Sequence, residues 1–135
     1  MTGSHSSPQQ RLLRDQINAI IPNAYDQLEN VASFDQELAC RIVSLITQFC
    51  CAAQNMGSIV AGRNAFKKLP GNWLTVNIPS IISRAVNLKD AWEYRRFLEL
   101  LREAKIELLH TYVASGLKSS DPEIQEAATD FAQQE

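Results

Sequence analysis

Hydrophobic residues recur every three or four positions along most of the chain, which is the spacing that places them on one face of an α-helix. The clearest stripe consists of Leu38, Ile42, Leu45, Phe49, Ala52 and Met56. A second stripe lies beside it on the same segment and consists of Ala39, Val43, Ile46, Cys50 and Ala53. A helix that is apolar on two adjoining faces must be covered on most sides. We therefore predict that this segment is the central helix of the fold.

Most of the other predicted helices begin at a residue whose side chain can cap a helix. The predicted N-terminal caps are Ser7, Asn23, Asn72, Asp90 and Asp121, which belong to the residue types preferred at that position. Asp90 and Glu93 have the spacing of a capping box, in which each side chain would bond to the backbone amide of the other. Asp121-Pro122-Glu123 combines a cap, a first-turn proline and an acid at the positive end of the helix.

Prolines and glycines indicate where these helices end or bend. The first helix should end before Pro22, and Gly57 stands where a left-handed C-terminal cap of the central helix would be needed. Pro70-Gly71 ends a short helix, and Pro79 predicts a kink or a short break in the next one. A further break near Glu103 is open. Strand-like alternation is absent, so the predicted fold class is all-α, with about seven helices.

Length and composition fit one ordinary soluble domain. The chain has 135 residues, of which 45% are hydrophobic, so it can bury a core without metal or disulfide support. We predict a disordered N-terminal tail over residues 1–8, which are poor in apolar side chains, and a single helical domain over residues 9–135.

Targeting and cysteine patterns predict a cytoplasmic protein. The first ten residues contain no apolar run of the kind found in signal peptides. The apolar stretch Leu38–Ala53 is interrupted by polar residues and is shorter than a membrane span. The three cysteines, of which Cys50 and Cys51 are adjacent, fit a reducing compartment, where free thiols pack in cores.

The positive charges are concentrated in the middle of the chain. The formal net charge is -2, from 13 basic and 15 acidic residues, but no acid occurs between Glu37 and Asp90. Within that middle stretch Arg63 and Lys67 are one helical turn apart, Lys68 is adjacent, and Trp73 follows. Cations beside an aromatic ring suit nucleic-acid or anion binding, or contact with an acidic protein surface. These four residues are the candidate binding site, although a solvated helix face explains them as well.

The sequence provides no complete catalytic set. His110 is the only histidine outside the N-terminal tail, and no serine, cysteine or aspartate shares its helix face. Glu107 and His110 have the Glu-x-x-His spacing of di-iron bundles, but such a site needs a second copy of the motif. The glycines form no phosphate-binding loop. We therefore predict that the protein is not an enzyme and uses no cofactor or metal.

The C-terminal segment resembles a known family of helical repeats. Asp121-Pro122-Glu123-Ile124-Gln125-Glu126-Ala127-Ala128, which follows a helix ending in Gly116-Leu117-Lys118, is similar to the turn and helix start of HEAT-like repeats. The resemblance covers residues 90–135. It implies a right-handed stack of antiparallel helices and a protein-binding role. An irregular helical bundle is the alternative architecture.

These observations predict a protein-interaction or adaptor module whose partner is another protein. Nucleic-acid or anion binding through Arg63, Lys67, Lys68 and Trp73 is the alternative function. The segment from Ser119 onward carries five acids and no base. It could therefore lie against the basic face of its own chain, or of a second copy in a homodimer. No membrane partner is expected.

Overall fold

The computed structural model describes residues 7–134, and every regular element among them is a helix. The prediction of an all-α fold with about seven helices is confirmed. In chain order the elements are α1 (Pro8–Ile20), a 3₁₀-helix (Ala24–Ser33), α2 (Gln36–Cys51), α3 (Met56–Phe66), α4 (Gly71–Ala85), α5 (Ala91–Glu103), α6 (Leu108–Leu117) and α7 (Pro122–Gln134).

Helix α2 is the centre of the fold, as its two apolar stripes predict. It packs against α1, the 3₁₀-helix, α3, α4 and α5. Ile42 and Ile46 are completely buried along it. The hydroxyl of Thr47 is also buried, and it donates a hydrogen bond to the carbonyl of Val43 at 2.7 Å. This bond satisfies a polar group that would otherwise destabilise the core.

Two regions can be distinguished around this centre. The central cluster, residues 7–86, contains α1 to α4 and the 3₁₀-helix. The C-terminal unit, residues 91–134, contains α5, α6 and α7, which pack against one another, and α5 also packs against α2. One continuous apolar core joins the two regions.

Three predicted caps form as expected. Ser7 accepts a hydrogen bond from the amide of Gln10 at the start of α1. The Asp90 carboxylate accepts from two amides at the start of α5, and Asp121 accepts from the amide of Glu123 at the start of α7. Because Ser7 and Pro8 start α1, they do not belong to the predicted disordered tail. Residues 1–6 of that tail lie outside the described residues.

The capping box at Asp90 forms only in part. The Glu93 carboxylate accepts from the amide of Asn87 at 2.9 Å, whereas the Asp90 amide donates to the carbonyl of Asn87. Glu93 therefore secures the loop before α5 instead of closing the box, because the turn at Asn87 already satisfies the Asp90 amide.

Asn23 does not cap a helix. It adopts a left-handed conformation with φ of 67°, and its side chain makes no capping bond. The segment that follows is a 3₁₀-helix, although Leu28 and Val31 are buried as predicted. The reason is local: the amide of Tyr25 is held by the side chain of Asn18, which turns the chain sharply after α1.

The central helix ends earlier than predicted, and Gly57 is not its cap. Helix α2 ends at Cys51, and Met56 begins α3. The Asn55 side chain accepts hydrogen bonds from the amides of Gly57 and Ser58 and so starts a new helix. The apolar stripe of the sequence continues through this point to Met56.

The cap predicted for α4 is wrong, and the short break considered at Pro79 does not occur. Pro70, rather than Asn72, is the residue before the helix, and the Asn72 side chain accepts from the amide of Trp73 inside the first turn. The helix continues without a break through Pro79, which is exposed. A carbonyl that loses its helical donor on this face can be solvated by water, so the chain is not forced to break.

The open question near Glu103 is resolved as a break. Helix α5 ends there, and Lys105 adopts a left-handed conformation with φ of 59° before α6 begins. The amide of Ile106 donates to the carbonyl of Leu101 at 2.9 Å, which closes the turn.

Candidate functional site

Two of the four predicted binding residues are engaged in ion pairs inside the molecule. A guanidinium nitrogen of Arg63 lies 2.7 Å from the carboxylate of Glu99. One turn further along, the Lys67 ammonium lies 3.7 Å from the carboxylate of Glu103. Arg63 of α3 and Lys67, which directly follows α3, do lie on the same side, as their spacing predicts, but acids of α5 face them.

The other two predicted residues lie in different surroundings. The Lys68 ammonium is 5.1 Å from the centre of the Tyr25 ring, within cation–π range. Trp73 lies in the first turn of α4, is half-buried and packs against the core. The basic residues therefore do not present one uniform positive surface.

The C-terminal acidic segment does not supply the partners of Arg63 and Lys67 within one chain. Those partners are Glu99 and Glu103 of α5, because α7 packs against α5 and α6. Asp130 of α7 instead pairs with Arg95 at 3.0 Å. This corrects the expectation that the segment covers the basic face of its own chain. Its last residue, 135, lies outside the described residues.

The candidate chemical groups are not assembled into a reactive site. Glu107 and His110 are exposed on the surface. Residues 7–134 contain no group of three or more side chains placed to hold a metal ion. Burial raises the pKa of the Cys51 thiol to about 12, and burial together with the neighbouring Cys51 raises the pKa of Cys50. Both thiols are therefore protonated and unreactive at neutral pH.

Two adjoining concave surfaces lie away from the predicted basic site, where the α4–α5 loop meets the starts of α5 and α7. The first space, which we call the hydroxyl cavity, has a volume of about 460 Å³ and is lined by Leu88, Lys89, Tyr94, Tyr112, Ser115, Gly116, Ser119, Ser120, Asp121 and Ile124. The second, the α5–α7 groove, has a volume of about 530 Å³ and is lined by Lys89, Asp90, Ala91, Trp92, Arg95, Asp121, Glu123 and Glu126. Lys89 and Asp121 belong to both, so the two spaces adjoin.

The α5–α7 groove is bordered by an exposed aromatic side chain and by acids. Trp92 is 57% exposed, and the guanidinium of Arg96 lies 4.0 Å from the centre of its ring. Glu123 and Glu126 are exposed, and neither forms an ion pair within residues 7–134. The positive charge of Arg95 is offset by Asp130. The groove is also lined by Lys89, Asp90 and Asp121, so its four acids outnumber its two basic residues, and it has one large aromatic contact surface.

Tyrosines and a glycine shape the hydroxyl cavity. The Tyr94 hydroxyl donates to the carbonyl of Tyr112 at 2.7 Å, which ties α5 to α6. A Cβ atom at Gly116 would lie 2.7 Å from Cζ of Tyr94 and 2.9 Å from Cβ of Ala128. Such contacts are too close, so this position needs glycine for α5, α6 and α7 to approach one another. Burial raises the pKa of both tyrosines above the ordinary value.

Sequence reasoning did not identify Trp92 as a candidate, although a signal was present. The inward side of α5 contains Tyr94, Phe97 and Leu98, and at 100° per residue Trp92 falls opposite to them. A large aromatic residue outside the apolar stripe is therefore expected to be exposed. No comparable signal indicated that Lys89 and Asp121 line the same cavity, because these residues are far apart in the sequence.

Comparisons with family models, with curated proteins and with solved structures found no significant match. The similarity to HEAT-like repeats therefore remains a prediction from the residues of the C-terminal segment. Within residues 7–134, no helix combines the length and the apolar character that crossing a bilayer requires.

Proposed function

We propose that the protein is a non-enzymatic protein-interaction module and that the α5–α7 groove is its docking surface. The observation that carries this proposal is Trp92, which is 57% exposed beside a groove of about 530 Å³. Tryptophan dominates binding energy at many protein interfaces, because burying its ring removes a large apolar area from water.

The charges around the groove favour a basic partner segment. Glu123 and Glu126 are exposed, while Arg95 is already paired with Asp130. Lysine or arginine side chains of a partner would find unpaired carboxylates here. Trp92 remains 57% exposed although the Arg96 guanidinium lies over its ring, so part of the indole is accessible to a partner.

Nucleic-acid binding through the predicted basic site is less well supported. Glu99 and Glu103 lie beside Arg63 and Lys67, where phosphates would have to approach. A protein partner at the α5–α7 groove would not have to compete with Glu99 and Glu103 for the basic side chains. A cytoplasmic location fits this proposal, because Cys40, Cys50 and Cys51 are all free thiols.

Capture of partners from the native lysate with matched variants tests the proposal. We expect Trp92→Ala to reduce capture at least tenfold, about 1.4 kcal/mol of binding free energy. Val76→Ala is the matched control, because Val76 is also exposed, at 76%, but lies on α4 outside the groove. Glu126→Lys should also weaken capture, and salt should weaken the remaining binding.

Two results would contradict the proposal. One is capture of the same proteins in the same amounts by Trp92→Ala and by the unchanged protein. The other is a loss of capture with Val76→Ala as large as that with Trp92→Ala. Binding of a labelled oligonucleotide that disappears in Lys67→Glu would support the alternative function instead. A second copy of the chain recovered as the partner would identify the predicted homodimer.

A further inference from the structure

We propose that the hydroxyl cavity binds a small organic carboxylate with an apolar body. This site adjoins the α5–α7 groove and shares Lys89 and Asp121 with it, but Trp92 lines only the groove, so the two proposals can be tested separately. The inference depends on the size of the cavity, on the apolar side chains that line it, and on its hydroxyl groups and the Lys89 ammonium.

The size and walls of the cavity fit a small ligand. Its volume of about 460 Å³ lies within the range of small-molecule sites, which is about 300–1,000 Å³. Leu88 and Ile124 provide aliphatic surface, and the half-buried Tyr112 provides an aromatic ring. That ring is held in place by an edge-on contact with Phe97, with ring centres 4.9 Å apart. The apolar surface is therefore preformed.

The polar side chains of the cavity are mainly hydroxyls, which can donate or accept, together with the ammonium of Lys89; Ser115, Ser120 and Lys89 are exposed. Within residues 7–134, the side-chain hydroxyls of Tyr112, Ser115 and Ser120 form no hydrogen bond, and the Lys89 ammonium forms no ion pair. A carboxylate would offer acceptor oxygens to these hydroxyls and a negative charge to the ammonium, in place of the water that solvates the exposed groups.

Asp121 is the one acid that lines the cavity, and its hydrogen bonds hold the start of α7. Its carboxylate accepts from the amide of Glu123 at 2.9 Å, and its own amide donates to the Ser119 hydroxyl at 3.0 Å. The positive end of α7 also offsets its charge. Lys89 is the one basic residue that lines the cavity, and it forms no ion pair within residues 7–134, so its ammonium is the group that a carboxylate would contact.

Benzoate is a suitable probe, followed by the backbone amide resonances of the full chain. We expect it to shift the amides of Gly116, Ser119 and Ser120 with a dissociation constant on the order of 1 mM, as is usual for a ligand of this size. Benzyl alcohol has the same ring without the carboxylate, and we expect it to bind at least tenfold more weakly.

Two lysine variants separate the cavity from general surface charge. We expect Lys89→Gln to weaken benzoate binding about tenfold. Lys118→Gln is the matched control. Lys118 is exposed and directly precedes Ser119 of the cavity, but does not itself line the cavity. The substitution should leave benzoate binding unchanged. Both residues are exposed, so neither substitution should prevent folding.

The outcome can overturn the inference in three ways. Benzoate could leave the cavity amides unshifted at 10 mM, roughly ten times the expected constant. Benzyl alcohol could bind as well as benzoate. The Lys118 variant could weaken binding as much as the Lys89 variant. Trp92→Ala should not affect benzoate binding, so failure of the docking proposal and failure of this one are distinguishable.

Discussion

The central cluster and the C-terminal unit are built from similar amphipathic helices, but they differ in how completely those helices are covered. Helix α2 has five helical neighbours and carries three buried thiols. In the C-terminal unit, α7 packs mainly against α5 and α6, and the hydroxyl cavity opens beside the start of α7. The thiols of α2 are buried, whereas the C-terminal unit leaves the hydroxyl cavity and the α5–α7 groove open at its surface.

The number of apolar faces on a helix accounts for this difference. Helix α2 has two adjoining apolar stripes and must be covered on most sides. Helix α7 has one buried side, represented by Ile124, Ala128 and Phe131, so a single layer of neighbours satisfies it. In this protein the hydroxyl cavity and the α5–α7 groove lie where amphipathic helices end against one another, rather than along the helix that forms the centre.

The largest difference between the two regions should appear when matched isoleucines are truncated. We expect Ile46→Ala in α2 to lower the free energy of unfolding by about 4 kcal/mol, because Ile46 is fully buried. Ile124→Ala should cost about 2 kcal/mol, because Ile124 borders the hydroxyl cavity and has fewer partner atoms to lose. Urea unfolding followed by circular dichroism measures both values. Equal losses would refute the contrast in packing.

Because Cys51 is buried, the free energy of unfolding should depend on pH in the alkaline range. The unfolded thiol ionises near 9, whereas burial raises the pKa in the folded chain to about 12. The folded state therefore binds more protons between these values, so this contribution is complete below pH 9 and decreases as the pH rises. We expect a loss of about 1.4 kcal/mol per pH unit above 9 from this thiol.

Cys51→Ala is the control for this effect, because it removes the ionising group at little change in size. Its unfolding free energy should decrease less steeply between pH 9 and 11 than that of the unchanged protein, by roughly the amount given per pH unit. Identical slopes for the two proteins would show that Cys51 is not the source of the dependence.

The smallest expected effect concerns the ion pairs that join the two regions. A double-mutant cycle with Arg63→Gln and Glu99→Gln should give a coupling energy of about 0.7 kcal/mol, since these side chains are only 25% and 39% exposed. The pair of Lys67 with Glu103 is longer and more exposed, and its coupling should be about 0.3 kcal/mol.

The cycle is preferable to single substitutions at this site. Nε of Arg63 is buried without a hydrogen-bond partner in the described part of the chain, so Arg63→Gln also removes a desolvation cost. Both couplings should decrease in high salt. A larger coupling for Lys67 with Glu103 than for Arg63 with Glu99 would contradict this ranking.

Much of the fold could be predicted because helical periodicity is a local property. The stripe through Ile42 and the caps at Ser7 and Asp121 identify helices, since a residue and its partner three or four positions away are always neighbours in a helix. Errors occurred where a local signal competed with another. At Asn55 a side-chain cap divides a stripe that continues in the sequence, and at Asn23 a left-handed turn replaces a cap.

The candidate site could be predicted only in part, because it combines distant segments. Trp92 had a signal in its position outside the apolar stripe. The meeting of Lys89 with Asp121 had none, since it depends on how α7 packs against α5. The sequence correctly predicted that Arg63 and Lys67 lie on the same side, but it did not predict the acids of α5 that pair with them.

The sequence by itself determined the all-α fold, the central position of α2 and the concentration of positive charge in the middle of the chain. Each of these follows from residue types and short-range spacing. Only the tertiary structure decided that Glu99 and Glu103 face Arg63 and Lys67, and that Lys89 and Asp121 border one cavity. Pairings between distant helices depend on the packing of whole faces, and no local pattern encodes which faces meet.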